Sequence, residues 1–115
     1  MRFGVMAAVV LVAATHVACS DPAASSNKTK ATQITVGDNY FNPTDVTIAP
    51  GDTVIWIWGG AVGHNVVFTS APATPPSDCG VISSGVCIRA FGTATGTFTY
   101  ACTLHGGMVG SVTVH

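Results

Sequence analysis

The sequence predicts an all-β domain, a sandwich or barrel of about seven to eight strands. From Gln33 onward, short runs of β-branched and aromatic residues are separated by turn signals, at the spacing typical of such folds. Several runs alternate apolar and polar residues, which puts the apolar side chains on one face of a strand. No helical stripe of useful length interrupts this pattern. We therefore expect strands that share one apolar core.

Seven runs are candidate strands. In pairs such as Ile34 with Val36 and Phe98 with Tyr100, the apolar residues are expected to face the core while Thr and Asp neighbours face water. Two further pairs of this kind are Val46 with Ile48 and Val112 with Val114. The candidate strands are Gln33 to Val36, Asp45 to Ile48, Thr53 to Trp58, Asn65 to Thr69, Val86 to Ala90, Thr95 to Ala101 and Ser111 to Val114.

The third run, Thr53 to Trp58, is apolar on both faces and is predicted to be a central strand. Its Trp56 and Trp58 fall on one face, and we interpret them as core residues rather than as functional ones. The preceding Pro50-Gly51-Asp52 predicts a tight turn, since Pro presets one dihedral angle and Gly accepts positive φ. Ser70 to Pro76 is predicted to be a loop, because its prolines lack the N–H that a sheet ladder needs.

The charge of the chain excludes some partners. Charged residues make up 8% of the sequence, against roughly 25% in an average globular protein. From Gln33 onward four Asp residues face only Arg89, so the domain is mildly acidic. There is no basic patch, which argues against nucleic acid as a partner, and the acidic charge is too small to identify another.

The first 18 residues predict an export signal. Arg2 supplies a positive start, and Phe3 to Val17 is an apolar stretch that ends in small residues. A membrane-spanning helix is the alternative. The stretch is shorter than the roughly 20 residues that a bilayer requires, and His16 interrupts its end, so export is the preferred interpretation.

The segment after the signal predicts a tethered protein. Val17-Ala18-Cys19 resembles the end of a bacterial lipobox, in which Cys19 would be lipidated, although His16 stands where that motif has Leu or another small or apolar residue. Residues 19–32 are rich in Ser, Ala, Thr and Lys, as in a flexible linker, and the alternative is an ordinary disordered start to a secreted domain. The folded domain is then expected at residues 33–115, facing the periplasm or exterior, free or membrane-anchored.

Two of the remaining cysteines predict a disulfide. Disulfides persist outside the cytosol, and Cys79 and Cys87 flank a short loop, Gly80 to Val86. Such a bridge would stabilise the fold by roughly 2 to 3 kcal/mol. The alternative is a second metal site with Asp78, but no further soft ligand lies nearby. Cys102 is left as the unpaired thiol.

The unpaired Cys102 begins a pattern of candidate metal ligands. Cys102, His105 and Met108 have the spacing C-x2-H-x2-M, and His64 adds a distant imidazole. One thiolate, two imidazoles and one thioether are the ligand set of a blue-copper electron-transfer centre. A buried inert Cys is the alternative, and the His and Met that follow at three-residue intervals disfavour it. Zinc shares the Cys and His ligands but not the thioether, so copper is the predicted metal.

The motifs around these ligands resemble those of the cupredoxins, the small type 1 copper proteins such as plastocyanin, pseudoazurin and amicyanin. The resemblance covers Gln33 to Val114, and the gap of two residues between His105 and Met108 is similar to that of amicyanin. It implies a Greek-key β-sandwich with one copper ion near one end. It also implies that Asn65 ties the two ligand segments together through Thr103. The matching motifs are Phe41-Asn42-Pro43, Pro50-Gly51-Asp52-Thr53-Val54, His64-Asn65-Val66 and the block from Tyr100 to Val112.

An electron carrier is favoured over an enzyme. Related copper enzymes commonly have a His beside the type 1 Cys, which reaches a second copper site, whereas Ala101 and Thr103 flank Cys102 here. Once the two ligand imidazoles are counted, His115 alone remains in the domain, so no hydrolytic triad can be built. Copper delivery in the periplasm is the alternative function, although such carriers usually offer open, Met- or His-rich sites.

The resemblance also implies where electrons leave the protein. In this family the ring of the ligand equivalent to His105 emerges through an apolar surface, for which Leu104, Gly106, Gly107, Val109 and Gly60 to Gly63 are the candidates. An apolar patch of this kind suits weak, short-lived docking. The expected partners are redox proteins such as cytochromes, oxidases or reductases, and the protein itself is expected to be a monomer.

Overall fold

The computed structural model describes residues 28–115, which form nine strands. The predicted signal peptide, Cys19 and residues 19–27 of the predicted linker lie outside the described residues. The first strand begins at Ala31, so two residues assigned to the linker belong to the sheet. The strands are β1 (Ala31–Gly37), β2 (Tyr40–Asn42), β3 (Asp45–Ile48), β4 (Thr53–Trp58), β5 (His64–Ser70), β6 (Cys79–Ile82), β7 (Gly85–Ala90), β8 (Gly96–Ala101) and β9 (Val109–Val114).

The strands form two sheets, and the predicted all-β sandwich is confirmed. One sheet has the order β2-β1-β4-β7 and the other β3-β9-β8-β5-β6. The β1/β4 and β3/β9 pairs are parallel, and the other pairs are antiparallel. Within residues 28–115, no helix is long and apolar enough to cross a membrane.

The core consists of the alternating residues that the sequence singled out. Their side chains are buried because a period of two directs every second residue of a strand inward. Strand β4 lies between β1 and β7, as its apolar composition predicts. Val46 is an exception and is only partly buried. The buried members include Ile34, Val36, Ile48, Val54, Trp56, Trp58, Phe98, Tyr100, Val112 and Val114.

The turn before β4 is built around a buried carboxylate. Gly51 has φ of 84°, and the backbone N–H of Asp52 donates to the carbonyl of Ala49 at 3.1 Å. The Asp52 carboxylate accepts hydrogen bonds from the backbone N–H groups of Lys30 at 2.8 Å and Ala49 at 3.1 Å. A buried charge normally carries a large desolvation cost, which these two bonds offset.

Two strands were missed by the sequence interpretation, and both are short. Strand β2 has only three residues, of which Phe41 is buried and packs edge-on against Tyr100 at a centroid distance of 4.8 Å. The segment between Cys79 and Cys87, predicted as a loop, contains β6 and the start of β7. Neither run shows clear alternation, because β2 has three residues and β6 places two apolar residues, Val81 and Ile82, next to each other, so tertiary pairing defines both strands.

The disulfide links the edges of the two sheets. Cys79 and Cys87 are bonded, with their Cα atoms 6.2 Å apart. Strand β6 pairs with β5 and strand β7 pairs with β4, so the bridge connects the two sheets on one side of the sandwich. Within β6, Ile82 is the register partner of His64, the first residue of β5.

Candidate metal centre

The fold brings the candidate ligands to one end of the sandwich. His64 opens β5, and Cys102 directly follows the last residue of β8. Because β5 and β8 are antiparallel neighbours, with Val67 opposite Ala101, the start of one strand meets the end of the other. His105 and Met108 come from the connection between β8 and β9.

Three donor atoms converge there. Nδ1 of His64 lies 3.1 Å from Nδ1 of His105, and Sγ of Cys102 lies 3.8 Å and 3.5 Å from these two nitrogens. Metal–ligand bonds of about 2.0 to 2.3 Å place neighbouring donors at roughly 3 to 4 Å, so one ion fits among the three atoms. Within the part of the chain that the structure describes, this is the one His, Cys or acidic cluster of three or more with such close donors.

Met108 lies at the end of the same loop and is buried. Its backbone N–H donates to the carbonyl of His105 at 3.3 Å, and its own carbonyl accepts from the N–H of Cys102 at 2.9 Å. Gly107 has φ of 80°, a conformation that favours glycine and lets the loop fold back. The loop therefore returns Met108 to the backbone of Cys102, and its side chain belongs to the buried hydrophobic core.

Asn65 and Thr103 join the two ligand segments. The amide Nδ2 of Asn65 donates to Oγ1 of Thr103 at 2.8 Å, and the backbone N–H of Thr103 donates to Oδ1 of Asn65 at 2.8 Å. Each residue follows a candidate ligand directly in the chain. The pair therefore fixes the distance between the β5 and β8 sides of the site.

Two further residues contact His64 and were not identified as site residues from the sequence. Oδ1 of Asp38, in the turn between β1 and β2, lies 3.0 Å from Nε2 of His64. The indole Nε1 of Trp58, predicted only as a core residue, donates to the backbone carbonyl of His64 at 3.1 Å. No local pattern in the sequence links residues 38 and 64. The pair Gly59-Gly60, which precedes His64, was the one sign that another part of the chain could approach the backbone closely there.

The protein environment prepares Cys102 for metal binding. Burial alone would raise the pKa of its thiol, but hydrogen bonds from the backbone N–H groups of Asn65 and Leu104 and from the His105 and His64 rings outweigh burial and lower the pKa to about 7. A substantial thiolate fraction is then present near neutral pH. The thiolate is the form that binds a metal, so Cys102 is already partly in that form before a metal arrives.

The pKa values of His64 and Asp38 shift in opposite directions. Burial disfavours the charged imidazole of His64, but hydrogen bonds to Asp38 and Cys102 raise its pKa above the usual value. The pKa of the Asp38 carboxyl is lowered, first by its hydrogen bond with His64 and then by the backbone N–H groups of Ala61 and Val62. The hydrogen bond between Asp38 and His64 contributes to both shifts.

The candidate docking residues are the neighbours of His105 in the chain. His105 is partly exposed, while Leu104, Gly106 and Gly107 are exposed beside it. Val62 and Val109 add exposed apolar side chains at this end of the sandwich. His115 is exposed at the opposite end of β9 and takes no part in the site.

The donor set suits copper. Thiolate and thioether sulfur are soft ligands that favour Cu(I), imidazole nitrogen is accepted by Cu(II), and three protein donors converge without an exposed carboxylate among them. Zinc would bind the Cys and the two His residues, but a thioether is not among its usual ligands.

Comparison with known proteins agrees with this chemistry. The family described as copper binding proteins, plastocyanin/azurin family, matches residues 28–115. A plastocyanin of Prochlorothrix hollandica is 34% identical, over 96% of this chain and 89% of that protein. A plastocyanin of Nostoc punctiforme is 29% identical, over 98% of this chain and 92% of that protein.

Solved structures show the same fold. The reduced Cu(I) form of an amicyanin mutant, with glycine in place of a proline, is 29% identical, with a TM-score of 0.65, over 74% of this chain and 82% of amicyanin. A copper-containing nitrite reductase from Thermus scotoductus has a TM-score of 0.65 at 20% identity over 75% of this chain, but only 22% of the reductase is covered, so this likeness concerns the fold alone.

The family match spans the whole described sandwich, including every residue of the donor cluster, and copper is the cofactor that both the donors and the family indicate. The resemblance to cupredoxins is thereby confirmed. The chain belongs to the plastocyanin/azurin family of copper binding proteins.

Proposed function

We propose that the protein is an exported type 1 copper electron carrier, which passes single electrons between redox partners. The observation that carries this proposal is the cluster of His64, Cys102 and His105 donors at one end of the sandwich. Met108 is buried, and its backbone carbonyl is hydrogen-bonded to Cys102. These four residues are the ones that would hold the copper ion. The similarity to plastocyanins over almost the whole chain supports the same function.

Bound copper would supply a one-electron Cu(I)/Cu(II) couple at this place. The protein keeps the donors fixed while the charge of the site changes. His64 is held through its ring by Asp38 and through its carbonyl by Trp58. The Asn65–Thr103 pair holds the ligand loop, residues 102–108 between β8 and β9, against β5. Donors that do not move require little reorganisation for each electron, which favours fast exchange.

His105 is the proposed route for electrons. Its ring is partly exposed, whereas His64 and Cys102 are buried, so it is the one imidazole of the cluster that a partner can approach. The surrounding apolar patch of Leu104, Gly106 and Gly107 would allow weak docking, with little cost for removing charges from water. Cytochromes, oxidases or reductases are the proposed partners.

Electron transfer fits better than catalysis or copper delivery. The fold also occurs in a copper-containing nitrite reductase, so the fold alone does not decide. Ala101 and Thr103 flank Cys102 and provide no imidazole to a neighbouring metal. His64 is 0% exposed, Met108 1% and Cys102 3%, which favours retention of copper over handing it to another protein.

The proposed layout places this domain outside the cytosol. Residues 1–18 would direct export, residues 19–30 would form a linker with lipidated Cys19 at its start, and residues 31–115, which begin with the first strand, would form the copper domain. A linker of this composition would let a monomeric domain reach partners near the membrane.

The function is tested by mixing the Cu(I)-loaded protein with an oxidised c-type cytochrome and following both chromophores by stopped flow. We expect Leu104→Asp to slow this exchange about tenfold, corresponding to about 1.4 kcal/mol of docking free energy, because it buries a charge in the apolar patch. The visible spectrum should not change.

Ile88→Asp is the matched control. Ile88 is 52% exposed and Leu104 53%, but Ile88 lies within β7, outside the ligand loop. Its rate should equal that of the wild type. Unchanged exchange in Leu104→Asp would place the docking face elsewhere, and equal slowing by both substitutions would show a general effect of the added negative charge. No exchange by the wild type would contradict an electron carrier.

A further inference from the structure

The carboxylate of Asp38 contacts both a proposed ligand and the loop that precedes this ligand. Its Oδ1 lies 3.0 Å from Nε2 of His64. Both carboxylate oxygens accept from the backbone N–H of Ala61, at 3.1 and 3.0 Å, and Oδ1 also accepts from the N–H of Val62 at 3.3 Å. One side chain therefore fixes the loop and the imidazole together.

The contact determines which nitrogen of His64 faces the donor cluster. A carboxylate accepts a hydrogen bond, so Nε2 carries the proton, and Nδ1 keeps the lone pair that a metal needs. Nδ1 is the atom that lies close to His105 and Cys102. The His64 ring is completely buried, so water does not replace Asp38 as its partner from the solvent side.

The fold leaves room for this carboxylate. Asp38 begins the β1–β2 turn, and the next residue, Asn39, has φ of 68°. A Cβ atom on Gly60 would overlap Oδ1 of Asp38, whereas a Cβ atom on Gly59 would only touch Cγ2 of Thr35 at 3.6 Å. Glycine at position 60 therefore permits the approach, which makes the two positions a matched pair for experiments.

We propose that Asp38 is a positioning residue for His64 and that its negative charge lowers the reduction potential of the copper site. The inference rests on the proposed function, since it concerns copper held by His64. A carboxylate bonded to the far nitrogen of a metal-bound imidazole increases the basicity of the ligand, and a nearby negative charge stabilises Cu(II) relative to Cu(I). The Asp38 side chain is 42% exposed, so solvent moderates the effect.

The effect of the charge on the potential is tested with Asp38→Asn, which keeps an oxygen that accepts a hydrogen bond from Nε2–H of His64. We expect the ratio of Cu(II) to Cu(I) affinity to fall about tenfold, which raises the potential by about 59 mV for a one-electron couple. Voltammetry on the blue protein measures this shift. The visible band should remain, because the three donors are unchanged.

Asp78→Asn is the control for loss of a charge. The Asp78 carboxylate accepts from the backbone N–H of Phe68 at 2.9 Å, four residues along β5 from His64 and so about 13 Å from it. This exceeds the screening length of about 8 Å at physiological ionic strength, so the potential should not change. If the wild type is blue and both variants have the same potential as the wild type, Asp38 does not lower the potential. That result would not affect the proposed electron-transfer function.

The positioning is tested without redox chemistry, in the zinc-loaded protein. Gly60→Ala should displace the carboxylate without removing its charge. The exchange lifetime of the His64 Nε2 proton, measured by NMR, should then be at least about tenfold shorter. Gly59→Ala should leave this lifetime unchanged. Equal lifetimes in both variants would overturn the positioning role. The lifetime in the zinc-loaded protein does not depend on whether the copper protein is blue. The test therefore distinguishes failure of the positioning role from failure of the proposed function.

Discussion

Replacing Cys102 with Ser is expected to abolish the intense visible absorption of the Cu(II)-loaded protein. The thiol is 3% exposed, and its sulfur lies 3.5 and 3.8 Å from the two imidazole nitrogens. A serine hydroxyl stays protonated where the thiol, with a pKa of about 7, ionises. Changes in residues around ligands cost about 10- to 100-fold in metal affinity, so loss of the thiolate should weaken Cu(II) binding by more than about 100-fold.

Absorbance titration and competition with a Cu(II) chelator measure both effects. His115→Asn is the control, because it also removes a potential metal-binding side chain but lies exposed at the far end of β9. Its spectrum and affinity should match those of the wild type. A visible band of undiminished intensity in Cys102→Ser would show that the thiolate is not a ligand.

Replacing Asn65 with Ala is expected to have the second largest effect. It removes both hydrogen bonds to Thr103, and each net hydrogen bond contributes about 0.5 to 1.5 kcal/mol, so the free energy of unfolding of the metal-free protein should fall by about 1 to 3 kcal/mol. The ligand loop is then held less firmly against β5, and copper affinity should fall at least about tenfold. Denaturant unfolding and chelator competition measure the two quantities.

A double-mutant cycle with Thr103→Ala isolates the pair. That substitution removes the Oγ1 acceptor but keeps the backbone N–H that donates to Asn65. Asn65→Ala should therefore cost less in the Thr103→Ala background than in the wild type. Strictly additive losses would mean that Asn65 acts through other contacts.

Features encoded by local pattern could be predicted from the sequence. The burial of Ile34 and Val36, or of Phe98 and Tyr100, follows from alternation within one strand. The ligand loop could be predicted equally well, because Cys102, His105 and Met108 lie within seven residues of each other and their side-chain chemistry can be recognised without the rest of the fold.

Features that depend on pairing between distant segments could not be predicted. Asp38 and His64 are 26 residues apart, and their contact exists because β1 and β4 pair in parallel and carry the β1–β2 turn to the ligand end. Likewise, the segment from Cys79 to Cys87 contains strands that join different sheets, which its Gly and Ser residues gave no reason to expect.

Whether the protein is an electron carrier is tested most directly by titrating the metal-free, reduced protein with Cu(II) and then adding ascorbate. We expect an intense blue thiolate-to-copper band that saturates at one copper per chain, disappears on reduction and returns on reoxidation, with copper retained throughout. A colourless protein that holds only Cu(I) would contradict electron transfer and favour copper delivery.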